Sequence, residues 1–152
     1  MARPSLNAVE TVLASPAIAV VGVSADAKKF GSVIYRELKS RGRKVVPVHP
    51  TRESVDGDRC YPSVASLPPE VTAVVTVVPP PVTERIVDEC IARGIRAMWM
   101  QQGSSSDEAV RKAKQAGMAV VHGHCLLMFL EPVASIHRVH RFFWKLLGRY
   151  PR

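Results

Sequence analysis

Apolar residues recur along this chain with two different periods, and the way the periods alternate predicts the fold class. Leu6, Val9, Val12 and Leu13 stand at helical spacing behind Ser5, a residue suited to cap a helix. After Pro16, a compact apolar run over 17–23 reads as a buried strand that enters the loop Gly22-Val23-Ser24-Ala25-Asp26. Residues 32–40 return to helical spacing through Val33, Ile34 and Leu38, and Gly42 ends them. A second strand over 44–48 stops at Pro50. The run 71–78 is almost purely β-branched and predicts a central strand, closed by Pro79-Pro80-Pro81. Helical spacing resumes over 82–93 through Ile86, Val87, Cys90 and Ile91, and Gly94 leads into a strand over 95–100. One of Ser104, Ser105 and Ser106 caps a helix with Asp107 and Glu108 in its first turn and a narrow face of Ala109, Val110, Ala113 and Ala116. Gly117 ends that helix, and residues 118–121 form the fifth strand.

Only residues 51–69 break the alternation. They are polar and turn-rich, with a turn at Asp56-Gly57 and one helical turn over 64–67 before Pro68-Pro69. Short apolar strands separated by helical periods predict an α/β domain, and right-handed crossovers make its sheet parallel. The expected organisation is one domain over 1–135, followed by a basic amphipathic segment over 136–152.

A length of 152 residues suits a single domain. Val and Ala dominate its apolar set, as expected for strands covered on both faces. The net charge of +8, from 21 Lys plus Arg against 13 Asp plus Glu, favours anionic partners, although basic residues also simply solvate surfaces. Cys60, Cys90 and Cys125 lie far apart without a CxxC pair, so nothing supports a zinc knuckle or dithiol motif. No charged start followed by a long apolar run reads as a signal peptide, and no run approaches the ~20 residues of a membrane span. The expectation is a soluble cytoplasmic protein.

Ligands of open parallel sheets lie beyond the carboxyl ends of the strands, near the point where strand order reverses. Four loops qualify: 22–32, 47–52, 78–82 and 100–104. The first carries Gly22, Ser24, Lys28, Lys29, Gly31 and Ser32 directly before a helix, a composition able to hold phosphate oxygens. It matches neither a dinucleotide fingerprint nor a Walker A loop, so plain turn glycines and solvated lysines explain it equally well. The second loop discriminates. NAD sites place a carboxylate at the end of the second strand, whereas Val46-Pro47-Val48-His49-Pro50-Thr51-Arg52 has none before Glu53. Such a rim suits a phosphorylated ribose, as in NADP or coenzyme A.

In this arrangement the chain resembles the stand-alone CoA-binding proteins, related to the CoA-binding domain of succinyl-CoA synthetase alpha subunits. The segments that carry the resemblance are Ile18-Ala-Val-Val-Gly-Val-Ser24, Val45-Val-Pro-Val-His-Pro50, Cys60-Tyr-Pro-Ser63, Val77-Val-Pro-Pro80 and Met98-Trp-Met-Gln-Gln-Gly103. The resemblance implies a Rossmann-like open parallel five-stranded sheet with helices on both faces, and coenzyme A as cofactor. It implies that Gly22, Val23 and Ser24 approach the phosphates, with Lys28 and Ser32 nearby. Pro47, His49, Pro50 and Thr51 would sit against the adenosine, the family more often carrying Asn where this chain has His49. Val78, Pro79 and Pro80 would border the adenine with Val82 beneath it, and Gln101, Gln102 and Gly103 would lie toward the pantetheine.

No catalytic constellation emerges from the residues. His122 and His124 flank Gly123 just before Cys125. Strand alternation would point both imidazoles to one side, which is compatible with metal, but without a carboxylate this is only a fragment of a site. A structural thiol is the favoured reading of Cys125, and no metal is expected. After Glu131 the tail interleaves Arg138, Arg141, Lys145 and Arg149 with Ile136, Phe142, Trp144 and Leu147. Such a helix suits a homodimer or protein partner better than nucleic acid. The function expected is non-catalytic or accessory binding of free CoA or acyl-CoA. The competing readings are an NADP-dependent oxidoreductase and a small polyanion-binding or interaction protein.

Overall fold

The computed structural model of the protein describes residues 5–130. Helix α1 (Leu6–Leu13) is capped by Ser5, whose side chain accepts from the Ala8 N–H, and leads to strand β1 (Ala17–Val21). Helix α2 (Phe30–Ser40) and strand β2 (Val45–Val48) follow, then a hairpin of β3 (Ser54–Val55) and β4 (Asp58–Arg59). After a 3-10 turn at Val64–Ser66 come β5 (Val71–Thr76), α3 (Pro80–Arg93), β6 (Ala97–Gln101), α4 (Asp107–Gln115) and β7 (Ala119–His124). A second 3-10 segment spans Leu126–Phe129.

Five strands pair in the order β2-β1-β5-β6-β7, all parallel. The fold is α/β and Rossmann-like, as the sequence predicts. The crossovers cover both faces of the sheet. One core packs Ile18, Val20, Val75 and Trp99 beneath Val9 and Val12 of α1 and Ile34 and Leu38 of α2. The other packs Ala19, Val74, Met98 and Met100 against Ile86 and Val87 of α3 and Ala109 and Ala113 of α4. Trp99 is fully buried, and its indole N–H donates to the His124 carbonyl at 3.0 Å. With β5 beside β1, chain direction across the sheet reverses between these two strands, so the switch-point crevice opens at their exits.

Several element ends differ from the sequence expectation for local reasons. Strand β1 stops at Val21 because Gly22 turns the chain at φ +106°. Helix α3 begins two residues earlier, since proline is well tolerated at the first helical positions, where the missing N–H groups have no intrahelical partner. Asp56 and Gly57 both take positive φ, 50° and 81°, and form a two-residue turn that closes the hairpin. That hairpin is tied back to α2. Arg36 pairs with Asp56 at 2.7 Å, Lys39 with Asp58 at 2.6 Å, and the buried Tyr35 hydroxyl donates to the Asp58 carboxylate.

The two histidines of β7 fall on opposite faces, a correction to the single side expected for them. The pairing shifts between Met100–His122 and Gln101–His124, so Gly123, at φ +71°, is an extra residue in its strand. His124 sets its ring edge-on to Phe129 in the α1–α2 core. His122 faces α4, where partial burial and then the nearby Lys114 charge lower its pKa. Among the described residues no group of three or more His, Cys, Asp or Glu could hold a metal. Likewise, no described helix is long and apolar enough to cross a membrane. The basic segment expected over 136–152 lies outside the described residues.

Candidate functional site

Backbone packing builds the crevice at the exits of β1 and β5. A Cβ on Gly22 would stand 2.3 Å from the Val77 carbonyl oxygen, and one on Gly31 would stand 2.2 Å from the Gly22 carbonyl oxygen. The β5 exit, the β1 exit and the first turn of α2 therefore touch through main chain alone, which only glycine permits at both positions. Ser32 locks the loop from inside. Its hydroxyl donates to the Ser24 carbonyl at 2.8 Å and accepts from the Ser24 N–H at 3.0 Å. The Ser24 hydroxyl in turn accepts from Asp26 N–H, and the Asp26 carboxylate from Lys28 N–H.

Three helices follow a strand of the main sheet, and their N-termini are not alike. Pro79, Pro80 and Pro81 have no N–H groups, and the amides of Val82 and Thr83 both bond to the Pro79 carbonyl, so α3 offers no donors. Helix α4 is capped by Ser106 and carries Asp107 and Glu108 in its first turn, a field that repels anions. Helix α2 has neither obstacle. Its N-cap Lys29 makes no side-chain cap, its first turn holds no acidic residue, and the Phe30 and Gly31 amides have no partner among the described residues. Of these three starts, α2 alone combines amides without a partner among the described residues with a first turn that holds no acidic residue, the combination that suits an anion at the switch point.

The exit of β2 forms the neighbouring rim. Tyr61 returns to it, its N–H donating to Pro47 and its carbonyl accepting from His49 N–H, both at 3.0 Å. His49 Nδ1 accepts from Thr51 N–H at 3.2 Å, so a neutral ring carries its proton on Nε2, free for a ligand acceptor. Among the described residues Arg52, half-buried on the same rim, has no salt-bridge partner and its Nε no hydrogen-bond partner. Its charge lies close enough to oppose the effect of burial, which pushes the Cys60 thiol up; the His49 backbone opposes it too. Arg52 is not among the residues the sequence singles out; its one sign there is the absence of a carboxylate before Glu53.

The expected site residues divide by burial. Val23, Ser32, Pro47 and Gln101 are buried, so Val23 presents its backbone and Ser32 acts through Ser24. Gln101 accepts from Leu126 N–H at 3.1 Å, while its Nε2 is buried without a partner among the described residues. Gly22, Ser24, Lys28, His49, Pro50, Thr51, Val78, Pro79, Pro80 and Val82 remain accessible at the exits of β1, β2 and β5. Gln102 and Gly103 lie one strand further along, where they share a pocket of about 230 Å³ with Val77, Val78, Pro79 and Ser104. A larger groove of about 400 Å³ sits at the opposite, amino ends of β6 and β7, around the Gly94 and Gly117 turns, and contains none of these residues. The cysteines are free and buried, and burial pushes the Cys90 thiol up to about 12, which suits packing rather than chemistry.

Comparison with known proteins shows the family and the fold. The alpha subunit of an ADP-forming acetate–CoA ligase II from Pyrococcus furiosus is 32% identical over 120 residues, 72% of this chain. The match takes up 26% of that subunit, so the chain spans about a quarter of its length. A conserved hypothetical protein from Pyrococcus furiosus has a solved structure that superposes with a TM-score of 0.72 at 36% identity, covering 74% of this chain and 97% of that one. A dinucleotide-forming acetyl-coenzyme A synthetase 1 of Ca. Korarchaeum cryptofilum superposes at 0.66 with 34% identity, over 74% of this chain and 27% of the synthetase. The family described as "CoA binding domain" matches residues 16–131, and the chain belongs to that family.

Proposed function

We propose that this protein binds coenzyme A, free or acylated, in the crevice between β1 and β5, as a non-catalytic or accessory CoA-binding protein. The observation that carries the reading is the asymmetry of the helix starts. Of the three described helices that follow a strand, α2 alone combines amides without a partner among the described residues, no acidic first turn and the flanking charges of Lys28 and Lys29. The pyrophosphate would rest there. On one side the β2 rim offers His49, Thr51 and Arg52 to a phosphorylated ribose. On the other, Val78, Pro79 and Pro80 give the adenine an apolar wall without competing donors. Gln101, Gln102 and Gly103 would border the pantetheine beyond the β5 exit. Three free thiols are compatible with a reducing compartment, which supports a cytoplasmic location.

Calorimetric titration of the whole chain tests the reading. CoA is expected to bind at least tenfold more tightly than NAD, NADP or ATP, because only CoA joins a ribose 3′-phosphate to a long polar arm. NADP binding as tight as CoA would favour the oxidoreductase alternative and overturn the choice of cofactor.

A further inference from the structure

We infer that Ser104 is the positioning residue that sets the adenine wall and with it the selectivity of the site for the base. The inference rests on the CoA reading above and adds to it a residue that touches no ligand. The segment Val77–Pro79 leaves the sheet and becomes a helix whose first residues are prolines. The Val77 N–H donates to the Val21 carbonyl at 2.9 Å. Pro79, Pro80 and Pro81 have no N–H groups, so Val78 carries the last N–H before Val82, whose amide and that of Thr83 turn back onto the Pro79 carbonyl. The Val78 N–H points at the Ser104 hydroxyl, at 3.4 Å.

Ser104 lies 2% exposed in the loop after β6, and its hydroxyl is the centre of a buried cluster. It donates to the Thr76 hydroxyl at the end of β5, at 3.0 Å, and meets the Thr83 hydroxyl in the first turn of α3 at 2.8 Å. Both threonines are fully buried. A hydroxyl has one proton and two lone pairs. With its proton on Thr76, Ser104 accepts from Thr83 and from Val78, and all three positions are used. One side chain thus joins the end of β5, the proline corner and the start of α3 to the β6 loop. The pocket between Val77–Pro79 and Gln102–Gly103 has this serine in its lining. Removing the hydroxyl frees the corner from the neighbouring loop while leaving the α2 phosphate donors, the glycines and the β2 rim as they were.

The test compares adenosine 3′,5′-bisphosphate with uridine 3′,5′-bisphosphate, which share both phosphates and differ in the base. Wild type is expected to prefer the adenosine compound by about tenfold or more. In Ser104→Ala that preference is expected to fall severalfold, through weaker adenosine binding, while the uridine affinity holds. Thr83→Val, which keeps side-chain shape, is expected to show the same change to a smaller degree. A purely structural role would lower the melting temperature and leave the base ratio untouched at temperatures well below it, and that result overturns the proposal. So does a wild type that binds CoA but shows no preference between the two bases. Failure of wild type to bind CoA at all is separate, because it overturns the CoA reading itself and this inference with it.

Discussion

Gly31→Ala is expected to cost this protein both stability and its ligand. The added methyl would lie 2.2 Å from the Gly22 carbonyl oxygen, and that oxygen belongs to backbone already pressed against the β5 exit. Neither partner is a flexible side chain that can swing aside, so the first turn of α2 must lift by about an ångström. Overpacking of this kind costs on the order of 1–3 kcal/mol. The amides of Phe30 and Gly31 move with the turn, away from where the pyrophosphate is proposed to rest. CoA affinity should fall by at least tenfold in calorimetry, with a melting temperature lowered by several degrees. Gly42→Ala is the matched control. Gly42 also has positive φ, +76°, but a Cβ there meets nothing within 4 Å. It should lose stability through backbone strain alone and keep wild-type CoA affinity. A Gly31→Ala protein that binds CoA normally would show that the α2 terminus is not the phosphate site.

Lys28→Ala and Arg52→Ala are expected to weaken CoA differently, and dephospho-CoA separates them. Lys28 precedes α2, beside the proposed pyrophosphate, so its loss should weaken both ligands alike. Arg52 lies on the β2 rim without a protein partner for its Nε among the described residues, on the side proposed for the ribose. Its loss should weaken CoA and leave dephospho-CoA nearly unchanged. A charge-assisted contact at a partly exposed site corresponds to roughly a fivefold to hundredfold change in affinity. Arg111→Ala, on α4 and already paired with Glu108 at 2.7 Å, serves as the control for overall charge and should change neither ligand. If all three substitutions reduce affinity equally, the attraction is the diffuse field of a +8 chain and no localised phosphate site exists.

Much of this architecture is legible in the chain, because periodicity is a local property. The run 71–78 announces a central strand through β-branching alone, and Gly94 and Gly117 mark helix ends that the structure places where expected. The strand order is not legible this way, since nothing near β1 says that β5 rather than β7 will pair with it. The candidate site divides along the same line. Gly22 and Lys28 could be named from their loop, but Ser104 could not be told from Ser105 or Ser106 as a helix cap. Its partners Thr76 and Thr83 are 28 and 21 residues away, and only the folded sheet brings them together. The faces of His122 and His124 depart from the sequence expectation for a related reason. Gly123 inserts one residue into the pairing, and a sequence period of two has no sign of that insertion.

The proline corner has a thermodynamic consequence for any base that docks against it. Each proline ring already fixes φ near −65° in the free chain, so Pro79, Pro80 and Pro81 have few conformations left to lose. An apolar wall that is rigid before the ligand arrives adds contact area without the ordering cost that a loop of free side chains would incur. Its contribution to binding should therefore show in calorimetry as a negative heat-capacity change with little accompanying conformational entropy loss. Replacing Pro81, which is exposed and lies one residue past the proposed wall, with Ala would leave the contact surface in place and restore backbone freedom to the unbound corner.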